Sequence, residues 1–187
     1  MYVRIFKEYR FVTQKGNEKS KTIAFSSYPC AVSSPDEFHV LDANLVQMGT
    51  SNNIINEELY DLISTESIGS SMRQMLAGRL ASSAEEWTKI FARKNSGTCN
   101  EQAIILDMNK IDFKNKKIED KALMIIEQMP NKTETKDVTE YLRKGHWPSY
   151  NVPYIDTMYK DKGYYEKETS EGVYENVDYT QSERALI

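Results

Sequence analysis

The sequence predicts an α+β fold built in layers, and three observations lead to it. Segments before residue 50 alternate like short strands between turn residues. Residues 57–94 carry apolar positions at helical spacing. Residues 103–126 then return to short, continuous apolar runs of strand length.

Taken in order, Tyr2 to Val12 has apolar residues at 3, 5, 6, 9, 11 and 12, which fits a short helix or a strand equally well. After the polar stretch Thr13 to Lys21, residues Thr22 to Ser26 read as a strand and Ser27 to Cys30 as a turn. From Asp36 to Met48, Phe38, Val40, Leu45 and Val46 interleave with polar residues around the turn-forming Asp42-Ala-Asn44, which predicts an antiparallel hairpin. On this alternation His39 points away from Phe38 and Val40, onto a solvated face. Leu59, Leu62 and Ile63, then Met72, Met75, Leu76 and Leu80, then Trp87, Ile90 and Phe91 mark helices, with the Met72 group expected in the core. Ser82-Ser-Ala-Glu85 has the form of a capping box, so a new helix is expected there, ending at Asn95-Ser-Gly97. Ala103 to Leu106 and Ala122 to Ile126 read as buried neighbouring strands. The whole chain, 1–187, is expected to form one domain whose Tyr- and Glu-rich segment 155–187 lies loosely on a surface.

A formal charge of −4, with basic residues scattered among acids, argues against nucleic acid as a partner. No apolar run is long enough for a transmembrane segment, and the first residues lack the hydrophobic stretch of a signal peptide, so the expectation is a cytosolic chain if Met1 is the true start. Cys30 and Cys99 have no metal-ligand spacing, and neither a metal nor a cofactor is implied. Asn131-Lys-Thr133 is a glycosylation acceptor pattern that matters only in a secreted protein.

A Cys–His nucleophile would need Cys30 or Cys99 beside His39 or His146, since a thiol attacks at neutral pH only with a base or a lowered pKa. No local signature supports that pairing, and a free cysteine beside a strand ordinarily serves as a small apolar group. The adjacent acids Asp36-Glu37, Glu57-Glu58 and Glu85-Glu86 diverge in direction and suit solvated faces or helix N-termini. "NSGTCNEQ" at 95–102 concentrates amides and hydroxyls before a buried strand, where a loop can point them into a cleft. "HWPSYNVPY" at 146–154 is stiffer still. Pro148 and Pro153 fix their own φ and favour extended geometry before them, presenting Asn151 from a preorganised backbone. Such an amide can stabilise an oxyanion, although an asparagine in a loop more often bonds its own backbone.

"SSYP" (26–29), "SSPDEFHVL" (33–41), "LAGRLASSAEEWTKIF" (76–91), "NSGTCNEQ", "IIEQMP" (125–130) and "WPSYNVPY", in this order, resemble the phospholipase B-like family of lysosomal or secreted hydrolases. The resemblance covers the whole chain but only the middle of a family member. It implies an N-terminal nucleophile hydrolase, an αββα sandwich of two stacked antiparallel sheets between helical layers, cleaving an ester or amide bond of a lipid or other small molecule without a cofactor. The implied nucleophile is a cysteine freed by self-cleavage, with its own α-amine as base. That cysteine would lie upstream of Met1, so the chain is expected to be a fragment, inactive alone, that needs a separate nucleophile-bearing chain or serves as a non-catalytic binding module. Asn151 matches the oxyanion asparagine, and Arg184, in "SERA", matches a pocket arginine suited to holding a carboxylate or phosphate. Cys30, Cys99, Glu101 and Ala103 depart from the family pattern, with tyrosine usual at Cys99 and tryptophan at Ala103.

Overall fold

The computed structural model describes residues 3–12 and 16–165. Its frame is a seven-stranded sheet in the order β1 (Ile5–Arg10), β2 (Thr22–Ser27), β3 (His39–Leu41), β4 (Leu45–Ser51), β5 (Glu101–Asp107), β8 (Leu123–Met129), β9 (Lys132–Asp137), antiparallel at every pairing. Between β5 and β8 lies a two-stranded ribbon of β6 (Ile111–Asp112) and β7 (Lys117–Ile118). The helices are α1 (Ser70–Leu80), α2 (Ala84–Phe91), α3 (Thr139–Lys144) and α4 (Asp156–Asp161). The class is α+β. Of the two stacked sheets that the resemblance implies, the described residues hold one large sheet and the small ribbon.

The ambiguous first segment is a strand because it pairs with β2, from Ile5 opposite Ser27 to Arg10 opposite Thr22. The hairpin of β3 and β4 forms as expected, with Asn44 at φ 59° in its turn. Antiparallel pairing sends alternate residues to opposite faces. One face presents Ile23, Phe25, Leu41, Leu45, Ala103, Ile105, Met124 and Ile126 to Ala77, Ala81, Ala84, Trp87 and Phe91 of the α1–α2 layer. The other presents Ile104, Leu123, Ile125 and Met129 to Val138, Ile155 and Met158, together with Tyr141, Trp147 and Tyr154. Both faces of β5 and β8 are therefore covered, which is why their sequences read as unbroken apolar runs. Residues 155–165 add more to the core than their composition predicts, since Ile155, Met158 and Tyr164 are buried. The rest of the 155–187 segment lies outside the described residues.

Three local expectations are corrected. His39 is buried, and Val40 is exposed, because the helical layer covers the face that His39 shares with Leu41; the imidazole packs on Phe25 with ring centroids 5.3 Å apart. Burial pushes its pKa down to about 4, so it is neutral, with Nε2 accepting from the Ser34 N–H at 3.3 Å. The second correction is a shift of one residue in the cap of α2. Ser83 accepts from the Glu86 N–H, while the Glu86 carboxylate takes the Ser82 N–H and hydroxyl at 2.8 and 2.7 Å. The helix stops at Phe91, before Asn95.

The third concerns α1. Met72 is 56% exposed and Leu76 40%, whereas Arg73 is only 2% exposed and Gln74, Ala77 and Gly78 are buried with it. Small residues let this helix lie close to the sheet: a Cβ added at Gly78 would stand 3.1 Å from Leu41 Cδ2. The long polar ones reach buried acceptors. Arg73 Nε donates to Ile68 O at 2.9 Å, Nη1 to Phe91 O at 2.6 Å, and Nη2 to Asn95 Oδ1 at 3.1 Å and Gln128 Oε1 at 2.8 Å. Those bonds join the start of α1, the end of α2, the following loop and β8.

Asn131 of the glycosylation pattern is exposed at the β8–β9 turn, at φ 59°. No helix among the described residues is long and apolar enough to cross a membrane.

Replacing Arg73 with methionine leaves these acceptors buried without a donor, so Arg73→Met is expected to lower the unfolding free energy by about 2–4 kcal/mol in urea titration. Met72→Ala, on the exposed side of the same helix, is expected to change it by less than about 1 kcal/mol. The opposite order would show that the assigned faces of α1 are wrong.

Candidate functional site

The loop that carries Asn151 leaves α3 at Gly145, whose φ of 146° is open only to glycine, and runs across the sheet face opposite α1 and α2. A carboxylate inside the sheet anchors it. Glu127 of β8 accepts the Tyr154 N–H at 2.6 Å, the Ile155 N–H at 3.2 Å and Gln102 Nε2 at 2.5 Å. Tyr154 then stacks edge-on against Trp147 at 5.4 Å and shares a hydroxyl bond of 2.8 Å with Tyr141. These groups, with Pro148, Tyr150 and Gln102, surround a pocket of about 160 Å³. Burial raises the Glu127 pKa, offset in part by the amides that it accepts from and by the charge of Lys162. Lys162 is itself fully buried with its pKa lowered to about 8 by desolvation.

The chain is expected to be extended through this loop, but it bends at Asn151, which adopts φ 62°. Asparagine tolerates that region better than most residues. Asn151 Nδ2 donates to Ser51 O at 2.9 Å, and the Ser149 and Thr50 hydroxyls bond each other, so the loop is tied to the last residues of β4.

Beyond β4 the chain forms one wall of an open cleft of about 560 Å³, lined by Asn52, Glu57, Tyr60, Cys99 and Asn100 among others. The opposite wall is the 95–100 loop. Its shape rests on Gly97, at φ 70° and so close to Pro130 that an added Cβ would lie 2.6 Å from the proline Cα. Asn95 holds the loop to the sheet through Met129 O and Lys132 O, at 2.6 and 3.2 Å. Gln128, one residue from Glu127 and on the other face, donates to Cys99 O and to Glu101 Oε1.

Glu101 lies behind this loop, buried, accepting Ser70 Oγ at 2.6 Å and Gln74 Nε2 at 3.0 Å. Desolvation lifts its pKa to about 7, with the Glu37 charge adding to it and the hydrogen bonds and Arg73 opposing. Cys99 is exposed at the surface, yet partial desolvation of its thiol, with the charges of Glu101 and Glu37, raises its pKa, the opposite of what activates a nucleophile. Cys30 and Cys99 are both free thiols. His146 is exposed, His39 is buried beneath α1 and α2, and among the described residues no hydrogen bond joins either histidine to a cysteine. No group of three or more His, Cys, Asp or Glu residues among the described residues is placed to hold a metal ion. Arg184 lies outside the described residues. Arg73, Glu127, Asn52 and Asn100 were not singled out from the sequence. The visible signal for Glu127 and Gln128 is a charged and an amide residue interrupting an otherwise apolar strand.

Residues 1–187 match the family described as Phospholipase B. The chain belongs to the phospholipase B family. It is 42% identical to Phospholipase B-like protein B of Dictyostelium discoideum over 92% of its own length and 30% of that protein. It is 38% identical to Phospholipase-B 81 of Drysdalia coronoides, over 99% of this chain and 33% of the relative. Phospholipase B-like 1 of Homo sapiens is 36% identical over 87% of the chain and 29% of its own length. The chain thus spans about a third of the length of these phospholipase B relatives.

Two outcomes follow for the site. Because the folded Glu101 pKa of about 7 exceeds the ordinary 4.5, the native state holds a proton that the unfolded chain has lost. The stabilisation is complete below about pH 4.5 and disappears as the pH rises through about 7. Glu101→Gln is therefore expected to unfold at a progressively higher temperature than wild type as the pH is raised across that window; parallel curves would refute the buried, protonated carboxyl. Glu127→Leu removes the acceptor of two loop amides, and hydrogen exchange at Tyr154 and Ile155 should quicken by about tenfold or more while β5 amides change far less.

Proposed function

We propose that this chain supplies the oxyanion side of a hydrolytic centre that cleaves an ester or amide bond, with Asn151 as the donor to the developing oxyanion. The observation that carries the reading is the fixing of Asn151: its amide is bonded to Ser51 O at the rim of the cleft, on a loop anchored by Glu127. An oxyanion donor contributes most when its position is set before the reaction, since no reorganisation is then needed as charge develops. In this reading Arg184 holds a substrate carboxylate or phosphate, and the substrate is a lipid ester or a small amide. The relatives' names, phospholipase B and phospholipase B-like, favour the lipid.

The nucleophile comes from outside this chain. Cys99 has a raised pKa, and Cys30 is exposed on a turn with no histidine bonded to it, so neither has the surroundings of an activated thiol. A separate nucleophile-bearing chain is the proposed partner. Phe6 and Val40, exposed on the sheet face away from α1 and α2, offer it apolar surface. The exposed Asn131 fits a glycoprotein that is secreted or lysosomal. The second reading, a non-catalytic binding module, rests on the same lack of an activated thiol.

The test is to assay the chain alone and together with a family-type nucleophile chain against a lysophospholipid and an acyl amide. Hydrolysis is expected only in the mixture, and Asn151→Ala should reduce kcat by about 10²–10³-fold with little change in KM. Failure of the two chains to co-purify, or an Asn151→Ala mixture with kcat within about twofold of wild type, would overturn the reading.

A further inference from the structure

Buried polar atoms ordinarily find partners, and those that do not call for an explanation, a bound ligand among them. Three such atoms belong to two residues that line the cleft beyond β4. Asn52 is only 3% exposed, and both its Oδ1 and its Nδ2 are buried without a hydrogen-bond partner. Asn100 donates its own Nδ2 to Gly97 O at 3.0 Å, which leaves its Oδ1 buried and unpartnered. The Asn52 backbone N–H donates to Asn100 O at 2.9 Å, so the two residues are held side by side, and both line the cleft. Turning the Asn52 amide over changes nothing, since either orientation presents one donor and one acceptor.

A single group that matched all three atoms would accept at least one hydrogen bond and donate two. We propose that the cleft between β4 and the 95–100 loop binds a primary carboxamide, held by the side chains of Asn52 and Asn100. Its carbonyl accepts from Asn52 Nδ2, the N–H on the same edge returns a bond to Asn52 Oδ1, and the second N–H donates to Asn100 Oδ1. An ester or a tertiary amide carries acceptors alone and would leave both asparagine oxygens facing no donor. A carboxylate or phosphate suits the cleft still less, because the acidic Glu57 lines it. The site thus favours a neutral group that offers N–H bonds.

This rests on the hydrolytic reading for its place in a reaction, and within that reading it favours the small amide over the lipid ester as substrate. The test reads binding without turnover. Propionamide and N,N-dimethylpropionamide share a carbonyl, and only the first has N–H groups. In saturation-transfer NMR titrations of the full chain, propionamide is expected to bind at least about tenfold more tightly. Asn52→Leu should abolish the difference while holding or raising the melting temperature, because leucine leaves no buried polar atom unpaired. Equal binding of the two amides by wild type, or an undiminished preference in Asn52→Leu, would overturn the proposal. Should Asn52→Leu fail to fold, Asn100→Leu decides, and an unchanged preference there has the same consequence. If carboxamide binds but no hydrolysis is found, only the hydrolytic reading falls; in the reverse case only this inference does.

Discussion

The guanidinium of Arg73 is the contact on which the rest of the described structure hangs. Buried on α1, it donates to oxygens of Ile68, Phe91, Asn95 and Gln128, and it lies 4.4 Å from the centre of the Phe91 ring. A buried cation is tolerated only when its hydrogens are matched, and here the matching groups are neutral amides and carbonyls. Desolvation lowers its pKa to about 10, which leaves it charged at neutral pH. The two helices, their connecting loop and the central strand β8 are thereby set in one arrangement.

From Gln128 the order passes to the cleft. Because neighbouring residues of a strand point to opposite faces, Glu127 and Gln128 serve both sides of the sheet at once. Gln128 fixes Arg73, Glu101 and the Cys99 carbonyl beneath the helices. Glu127 fixes Gln102 and the aromatic loop on the opposite side. The walls of the cleft, β4 beyond Ser51 and the 95–100 loop, are held by one side or the other of this pair. Residues far apart in the chain come within bonding distance there, as Asn151 and Ser51 do at 2.9 Å.

Much of the framework was legible. The β3–β4 hairpin, the helical region and the apolar strands β5 and β8 follow from the spacing of Leu45, Val46, Trp87, Phe91 and the two runs, since those side chains are apolar and face the core. The errors share a cause. Met72 and Leu76 were expected inside because they are apolar, and His39 outside because it is polar; in both places the chemistry of the whole layer overrode the single residue. An arginine can occupy a core when several oxygens converge on it, and no local pattern announces that convergence.

For the site, the order of motifs from "SSYP" to "WPSYNVPY" determined the family, and the two prolines with a central asparagine marked the loop that bears Asn151. Local propensity and side-chain chemistry suffice for both. Only the tertiary structure decided that Glu127 holds that loop, that Asn151 bonds to Ser51, and that Asn52 and Asn100 line one cleft with the Asn52 amide and the Asn100 Oδ1 unmatched. The reason is physical. Hydrogen-bond satisfaction in a buried site depends on groups supplied by distant segments, and the sequence places those groups together only through the register of the sheet.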